Sequence, residues 1–437
     1  MLEVHRTQRA KIHNHSQVAE QLDRHGWSAS KLWNVANYHS REVWEETGEI
    51  PDHEELKNEL KTHPKYNGLH SQSSQRVLEE LAEAFNSWYS SDDDRDNPPG
   101  YRKENYYDDQ GRRVHEEHPR STVTWKQNGI RHDTKNNRVR LSKGANHKEH
   151  PKAWEYILVE YETRPGVEIK NLQQVRAVYD QSKERWELHL VCKDETETPT
   201  APGTEMAGID LGISNFAAVA YSTEEADLYP GNRLKQDGYY FPKEIANCDD
   251  SGADRATRLH HKWSERRTHF FHSLAKHIVE RCVEKGVGQI NVGDLEGVRD
   301  DENGGSKNWG KHGNLDLHGW AFDRFTSILE YKAKVEGIDV VEVSERDTSK
   351  TCCVCGRKDE SQRVERGLYV CEDCDAAFNA DVNGAENIRL DINESNSESS
   401  ASLDEDRSTG WLAQPGVYLH DLSRGFQPRA EVVDCKP

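Results

Sequence analysis

Two early stretches carry apolar residues at helical steps, one near Ser28 to Glu46 and one near Ser73 to Tyr89. In the second, Val77, Leu81, Phe85 and Trp88 recur every three or four residues and so share one face of a helix. Aromatic stripes of this kind read as packing surface. The charged run SDDDRDNPPGYRK from Ser91 breaks the pattern. From about Ser121 the period changes to two. STVTW, RVRLS, YILVEYE, VRAVYD and WELHLVCK are short alternating runs separated by polar turns, and they predict strands. Arg176 to Cys192 reads as a hairpin turning near Asp180 to Lys183, within a small β-barrel or sandwich. Residues 1 to about 30 are polar and mixed, with a short strand at Leu2 to His5. TPTAPG, ending at Gly203, reads as a linker.

Beyond Met206 the elements are more regular. MAGIDLG, NFAAVAY and GYYFP from Gly238 predict three strands. A long helix follows from about Arg255 to Lys285, apolar at Leu259, Trp263, Phe270, Leu274, Ile278 and Cys282, with Gly286 as its stop. QINVGDL from Gln289 predicts a fourth strand, Trp320 to Glu336 a second helix and IDVVEV from Ile338 a fifth strand. A last helix opens near Ala380. The polar, glycine-rich loop flanked by Trp309 and Trp320 is a candidate lid, and a structural role is the alternative. Asn393 to Arg407 is rich in serine and acid and is expected to be disordered.

Between the fifth strand and the last helix, cysteines repeat as C-x2-C, fifteen residues, C-x2-C: Cys352, Cys355, Cys371 and Cys374. Each pair spans one tight turn, and the loop lets the turns meet around a tetrahedral Zn2+. Cys353 falls outside the pattern. Asp381 follows seven residues after the last ligand.

Composition qualifies this picture. Only 34% of residues are hydrophobic, mean hydropathy is -0.99, and 78 acidic against 58 basic residues leave a net charge of -20. No run of about 18 apolar residues exists, so no membrane partner is expected. The first residues lack the apolar core of a signal peptide, which predicts a cytoplasmic protein whose paired cysteines bind metal rather than form disulfides. An acidic balance argues against nucleic acid unless the cell is highly saline. At about 1 M salt the Debye length is about 3 Å, so repulsion from phosphates is muted. The scarcity of Lys and of apolar residues favours this second reading, a halophilic origin.

Asp210 stands in the middle of the MAGIDLG strand. A buried carboxylate there is costly unless it meets a metal, a partner or the turn amides at Gly212. The order of strands and helices is that of an RNase H-like domain. Such a domain gathers separate carboxylates on a central sheet to hold two Mg2+ ions about 3.5–4 Å apart for phosphodiester hydrolysis.

These motifs resemble a known family. GIDLGISNFAAVA from Gly208, WAFDRFTSILEYKA from Trp320, TSKTCCVCG from Thr348, CEDC from Cys371 and NADVNGAENI from Asn379 occur in the order seen in the TnpB (OrfB) proteins of insertion sequences, relatives of the type V CRISPR effectors. They cover about Met206 to Leu390. The N-terminal half fits more loosely, through QSSQRVLEELAEAF from Gln72. The resemblance implies a multidomain α+β chain. A helical recognition lobe would occupy 31–114 and a wedge-like β-barrel 1–30 with 115–200. A RuvC-like, RNase H-like α/β nuclease domain would occupy 204–392, with a zinc ribbon inserted at 348–378. Residues 393–437 would be a disordered acidic tail.

The implied activity is RNA-guided, Mg2+-dependent cleavage of DNA by a monomer bound to guide RNA and target DNA, with Zn2+ structural. A cleavage-deficient guided binder and a transposase accessory protein are the alternatives. The first catalytic acid aligns with Asp210 and the third with Asp381, while Asn379 stands where the D-x-D-x-N motif begins with an acid. The middle acid does not align: the usual Glu position is Gly293. Three readings stay open. Glu345, just beyond the fifth strand, substitutes for it, with Asp294 and Glu296 as less apt choices. Or the domain binds without cutting. Or the alignment of this strand is shifted.

The long helix is basic in its N-terminal half. Arg258, His261, Lys262, Arg266 and Arg267 are candidate nucleic-acid contacts, with a solvated face as the alternative. After the Pro-Pro turn, Tyr101, Arg102 and Lys103 resemble the family's Pro-aromatic-Lys segment and are candidate phosphate contacts.

Overall fold

Alternation in the first half and mixed periodicity in the second produce two units, residues 1–196 and 197–437. The structure is a computed structural model that describes residues 2–90, 97–107, 110, 113–150, 155–196, 199–248, 253–294, 322–365, 367–392 and 409–429. Among the described residues no helix is long and apolar enough to cross a membrane.

The first unit contains β1 (Leu2–Ile12), α1 (His15–Thr47), α2 (His53–Leu60), α3 (Ser71–Tyr89), β2 (Glu104–Tyr107), β3 (Arg113–Glu117), β4 (Val123–Lys126), β5 (Ile130–Asp133), β6 (Arg138–Ser142), β7 (Tyr156–Glu162), β8 (Leu172–Asp180) and β9 (Arg185–Thr196). Seven strands form one sheet in the order β4-β8-β9-β1-β7-β6-β5, while β2 and β3 pair separately. The edge strands β4 and β5 are consecutive, joined by a single turn at Gln127–Gly129. The sheet therefore curls until its edges approach, but no ladder among the described residues closes it into a barrel. Trp125, Trp186 and Phe85 are buried at its core. The β8–β9 hairpin turns where its sequence predicts.

Two expectations need correcting. Residues 15–30, expected with the strands, belong to α1, and β1 runs on to Ile12. The helical period was masked because α1 buries His25 and Gly26 rather than only apolar side chains. Gly26 lies under the Trp186 indole, which a Cβ there would meet at 2.8 Å. The short α2, closed by an Asp52–Glu55 capping box, adds a helix that apolar spacing alone does not announce.

The second unit contains β10 (Glu205–Leu211), β11 (Asn215–Tyr221), β12 (Glu225–Pro230), α4 (Asn232–Ala246), α5 (Ala253–Glu284), β13 (Val287–Asp294), α6 (Phe322–Val335), β14 (Asp339–Ser344), β15 (Leu368–Cys371), β16 (Ala376–Asn379), α7 (Ala380–Arg389), α8 (Gly410–Ala413), β17 (Gly416–Asp421) and β18 (Gly425–Pro428). Its sheet runs β14-β13-β10-β11-β12-β17-β18. The meander β10–β11–β12 is antiparallel, and β13 and β14 add in parallel beside β10. Strand alternation separates two cores. Ala207, Ile209 and Leu211 face α5 and α6, through Phe271, Leu274, Phe325 and Leu329. Ala218 and Ala220 face α7 and the cysteine module, through Val382, Ala385 and Tyr369.

The third strand is Glu225–Pro230, not GYYFP. Those residues lie in α4, where Leu234, Asp237 and Phe241 step along the buried side and Tyr239 and Tyr240 are exposed. An aromatic run between Gly238 and Pro242 imitates a strand, but packing on α5, with Arg266 donating to Asp237 at 2.7 Å, holds it helical. The expectation of a disordered tail also needs correcting over residues 409–429. Residues 393–408 lie outside the described residues, yet β17 and β18 form a hairpin, and β17 pairs in parallel with β12 at the sheet edge. The candidate lid, with Trp309, Trp320 and Glu296, lies outside the described residues.

Candidate active site

Asp210 lies on β10, and the alternation of that strand turns it away from the α5–α6 core. Two glycines let α7 approach it. A Cβ on Gly208 would meet the Arg389 amide nitrogen at 2.5 Å, and one on Gly384 would stand 2.8 Å from Asp210 Oδ2. The helix backbone thus lies against the strand, and the Asp210 carboxylate lies against the helix. The Gly212 amide donates to the Phe216 carbonyl, so that turn does not serve Asp210.

The register explains Glu345. β10 and β13 pair Ile209 with Val292, and one further step sets Asp210 beside Gly293. β13 and β14 pair Gly293 with Val343. Glu345 is two residues beyond Val343, and a strand repeats its facing every two residues, so Glu345 returns to the side of Gly293 and Asp210. Its side chain folds back over the glycine. A Cβ on residue 293 would stand 2.5 Å from Glu345 Cγ and 2.7 Å from Cδ. The space that a side chain at 293 would fill is occupied by the Glu345 carboxyl.

Asp381 enters from the first turn of α7. Asn379 is the N-cap, its Oδ1 accepting from the Asp381 and Val382 amides at 3.1 Å each. An asparagine therefore does the capping where the family motif has an acid. Asn215 on β11 donates to Asp381 Oδ2 at 2.8 Å, and Arg363, from the loop between the cysteine pairs, donates to Oδ1 at 3.3 Å. Neither was singled out from the sequence. Asn215 lies inside the GISN motif, whereas Arg363 has no local signal.

The electrostatics couple these acids. Burial, then the Asp381 charge, pushes Asp210 up to about 7, against a lowering pull from Arg363. Burial, then the charges of Asp210 and Asp294, pushes Glu345 up to about 9. Glu345 Oε1 is buried without a hydrogen-bond partner. A buried, unpartnered carboxyl beside a second raised carboxyl is suited to receiving a cation.

The cysteines converge as their spacing predicts. The sulfurs of Cys352, Cys355, Cys371 and Cys374 all lie within 4.8 Å of one another. Among the described residues they are the one group of three or more potential ligands drawn so close; the acids are coupled but more widely set. The geometry is compatible with a zinc ribbon. Cys353 stays outside it and is buried in the core, where its amide donates to Asn383 Oδ1 at 3.0 Å. Asn383 and Asn387 of α7 in turn donate to the Thr351 carbonyl at 2.9 and 2.7 Å, and Asn387 also to that of Thr348 at 2.7 Å. The cysteine module and the helix carrying Asp381 are thus bonded directly.

The candidate nucleic-acid contacts divide. Arg258 and Lys262 are exposed one turn apart on α5. Arg266 is held by Asp237, His261 is half-buried, and burial lowers the pKa of Arg267. Lys103 lines a cavity, whereas the Arg102 guanidinium stacks 3.6 Å from the Trp33 ring centroid.

Comparison with known proteins agrees with these features. Residues 189–299 match the OrfB family of the IS605 type, described as "Probable transposase", and residues 322–388 match the "Cas12f1-like, TNB domain". The CRISPR-associated endodeoxyribonuclease Cas12f1 of Sulfoacidibacillus thermotolerans is 25% identical over 49% of this chain and 52% of its own length. A TnpB-like protein of Acidianus two-tailed virus is 26% identical over 82% of this chain and 80% of its own. Another, from Methanocaldococcus jannaschii, is 28% identical over 37% of this chain and 56% of its own. The chain thus spans about half the length of the first and third of these relatives. A solved Cas12f1–sgRNA–target DNA complex superposes with a TM-score of 0.57 at 14% identity, covering 85% of this chain and 82% of that one, a likeness of fold. The resemblance to the TnpB (OrfB) family is borne out.

Proposed function

We propose that this chain, a TnpB (OrfB) relative, is an RNA-guided DNA endonuclease of transposon origin, with Asp210, Glu345 and Asp381 as the acids of a RuvC-like, RNase H-like site. The observation that carries this reading is the Glu345 carboxyl lying over Gly293, on the side of the sheet that bears Asp210. It supplies a third acid where alignment by strand position leaves none. The unpartnered Glu345 Oε1 and the raised Asp210 fit Mg2+, a hard cation with oxygen ligands. When bound, Mg2+ stabilises the attacking and leaving oxygens of phosphodiester hydrolysis.

The chain's own residues prepare the site. Burial keeps Asp210 and Glu345 partly protonated until positive charge arrives, so the site resists ionising empty. Asn215 and Arg363 grip one oxygen each of Asp381 and fix its orientation. Arg363 is 41% exposed, so its guanidinium also faces outward, where a phosphate would approach. In this reading the four thiolates hold Zn2+ as a brace, and Asn383 and Asn387 pass its rigidity to Asp381.

Sequence readout would fall to base pairing between guide and target strand, with the protein reading backbone and shape. No observation favours the binding-only alternative. The reading is tested by purifying the chain from its host and sequencing bound nucleic acid. An RNA of defined length, whose replacement redirects cutting to a new plasmid sequence, is expected. Protein without RNA at native salt, or cutting that ignores the guide, overturns it.

A further inference from the structure

In the loop between the cysteine pairs, Ser361 and Arg363 are exposed, yet Gln362 between them is only 3% exposed. A buried side-chain amide is costly unless it is bonded. Gln362 Oε1 accepts from the Tyr369 hydroxyl at 2.6 Å. Tyr369 lies on β15 with no exposed surface, and the β15–β16 register sets it opposite Phe378. The two rings stack with centroids 6.4 Å apart. β16 then runs directly into Asn379, the N-cap that presents Asp381.

The turn that carries Gln362 is fastened at its start as well. The Asp359 amide donates to the Lys350 carbonyl at 3.1 Å, and the same carbonyl accepts from the Tyr369 hydroxyl at 3.2 Å. The Asp359 carboxylate accepts from the Ser361 amide at 2.9 Å and from its hydroxyl at 2.7 Å, which closes the turn. The next side chain after this anchored turn is Arg363, which reaches Asp381 Oδ1 at 3.3 Å. An exposed arginine loses much rotamer freedom when it is held in one place, so a fixed backbone beside it makes the contact easier to keep.

We propose that Tyr369 and Gln362 are positioning residues for cleavage: the Tyr369 hydroxyl holds the Gln362 turn, and the turn keeps the Arg363 guanidinium on Asp381. Both limbs of the Arg363–Asp381 contact then hang from one aromatic pair, Tyr369 and Phe378. The cysteine module acts on the acids through this bond as well as through Asn383 and Asn387. The proposal rests on Asp381 being one of the acids of the nuclease site.

The test uses the full, zinc-loaded chain with its guide RNA and Mg2+ on a matched plasmid. Tyr369→Phe keeps the ring and removes only the hydroxyl. It should lower kcat by roughly 2- to 13-fold, the worth of one hydrogen bond, with KM for the plasmid unchanged. Gln362→Met removes the acceptor at similar volume and should do the same. In an Arg363→Ala background neither substitution should have a further effect, because the bond acts through Arg363. Zinc content by mass spectrometry should match wild type throughout. Wild-type kcat in both single variants, a loss that multiplies with that of Arg363→Ala, or a loss matched by missing zinc overturns the proposal. Hydrogen exchange without nucleic acid separates it from the nuclease reading: residues 361–365 should exchange faster in Tyr369→Phe, with α7 unchanged. Faster exchange there in a protein that never cuts sustains the hold on the loop while removing the nuclease reading. Unchanged exchange in a variant that cuts as wild type removes this proposal alone.

Discussion

Gly293 and Glu345 exchange roles across one strand boundary. A glycine mid-strand usually weakens a sheet, and here it clears the volume that the Glu345 carboxyl occupies. A glutamate restored at 293 therefore conflicts with Glu345 unless Glu345 is removed. Gly293→Glu alone should lower both thermal stability and cleavage, whereas Gly293→Glu with Glu345→Ala should recover cleavage relative to Glu345→Ala alone. Melting curves and plasmid cutting on the three variants check this. The raised carboxyls carry a second prediction. Asp210, at about 7, and Glu345, at about 9, stand above their ordinary values of 3.8 and 4.5. Between those limits the folded chain binds more protons than the unfolded chain, so these groups make stability fall as pH rises. Without divalent cations, Glu345→Gln should match wild type near pH 4 and be more stable at pH 8, by roughly 1–3 kcal/mol, the scale of one uncompensated buried polar group. Denaturant unfolding at the two pH values measures it. Asp210 and Asp381 are legible in the sequence because each sits at a fixed place in a motif. Glu345 is legible only through register, and Arg363 not at all, because a loop side chain reaches the site by tertiary folding.

At the scale of elements, α7 is the joint between the cysteine module and the sheet. Its buried Asn383 and Asn387 bond the Thr348–Cys353 turn, and its N-cap aims Asp381. Cys371→Ser should lose bound zinc and unfold at lower temperature, while Asp381→Ala should keep zinc and fold but lose cutting. Zinc stoichiometry by mass spectrometry and circular dichroism separate the two. The spacing of the cysteines announces this element plainly, since a metal constraint is written locally. The α4 segment is not legible in the sequence for the opposite reason: GYYFP has strand-like composition, and its helical state is set by contact with α5. The β17–β18 hairpin covers the edge of β12. Removing residues 409–437 leaves that edge unpaired, so the truncated chain should self-associate and elute earlier in size-exclusion chromatography.

At the scale of the whole molecule, the two units divide near the linker that TPTAPG predicts, an all-antiparallel sheet with helices before residue 197 and an acid-bearing mixed sheet after it. The net charge of -20 is the odd feature beside the nucleic-acid partners proposed above. The saline origin it suggested rests on composition alone, and the relatives add nothing to it. The central claim is that the acid set is complete, with Glu345 in the middle position. Its most direct measurement is Mg2+-dependent cleavage of a guide-matched plasmid by wild type and Glu345→Ala, each loaded with the same RNA. Wild type should cut, and Glu345→Ala should lose more than the roughly 10–100-fold that loss of an outer-shell partner costs, while still binding the target. Cutting by Glu345→Ala at the wild-type rate, or a wild type that binds and never cuts, would contradict it.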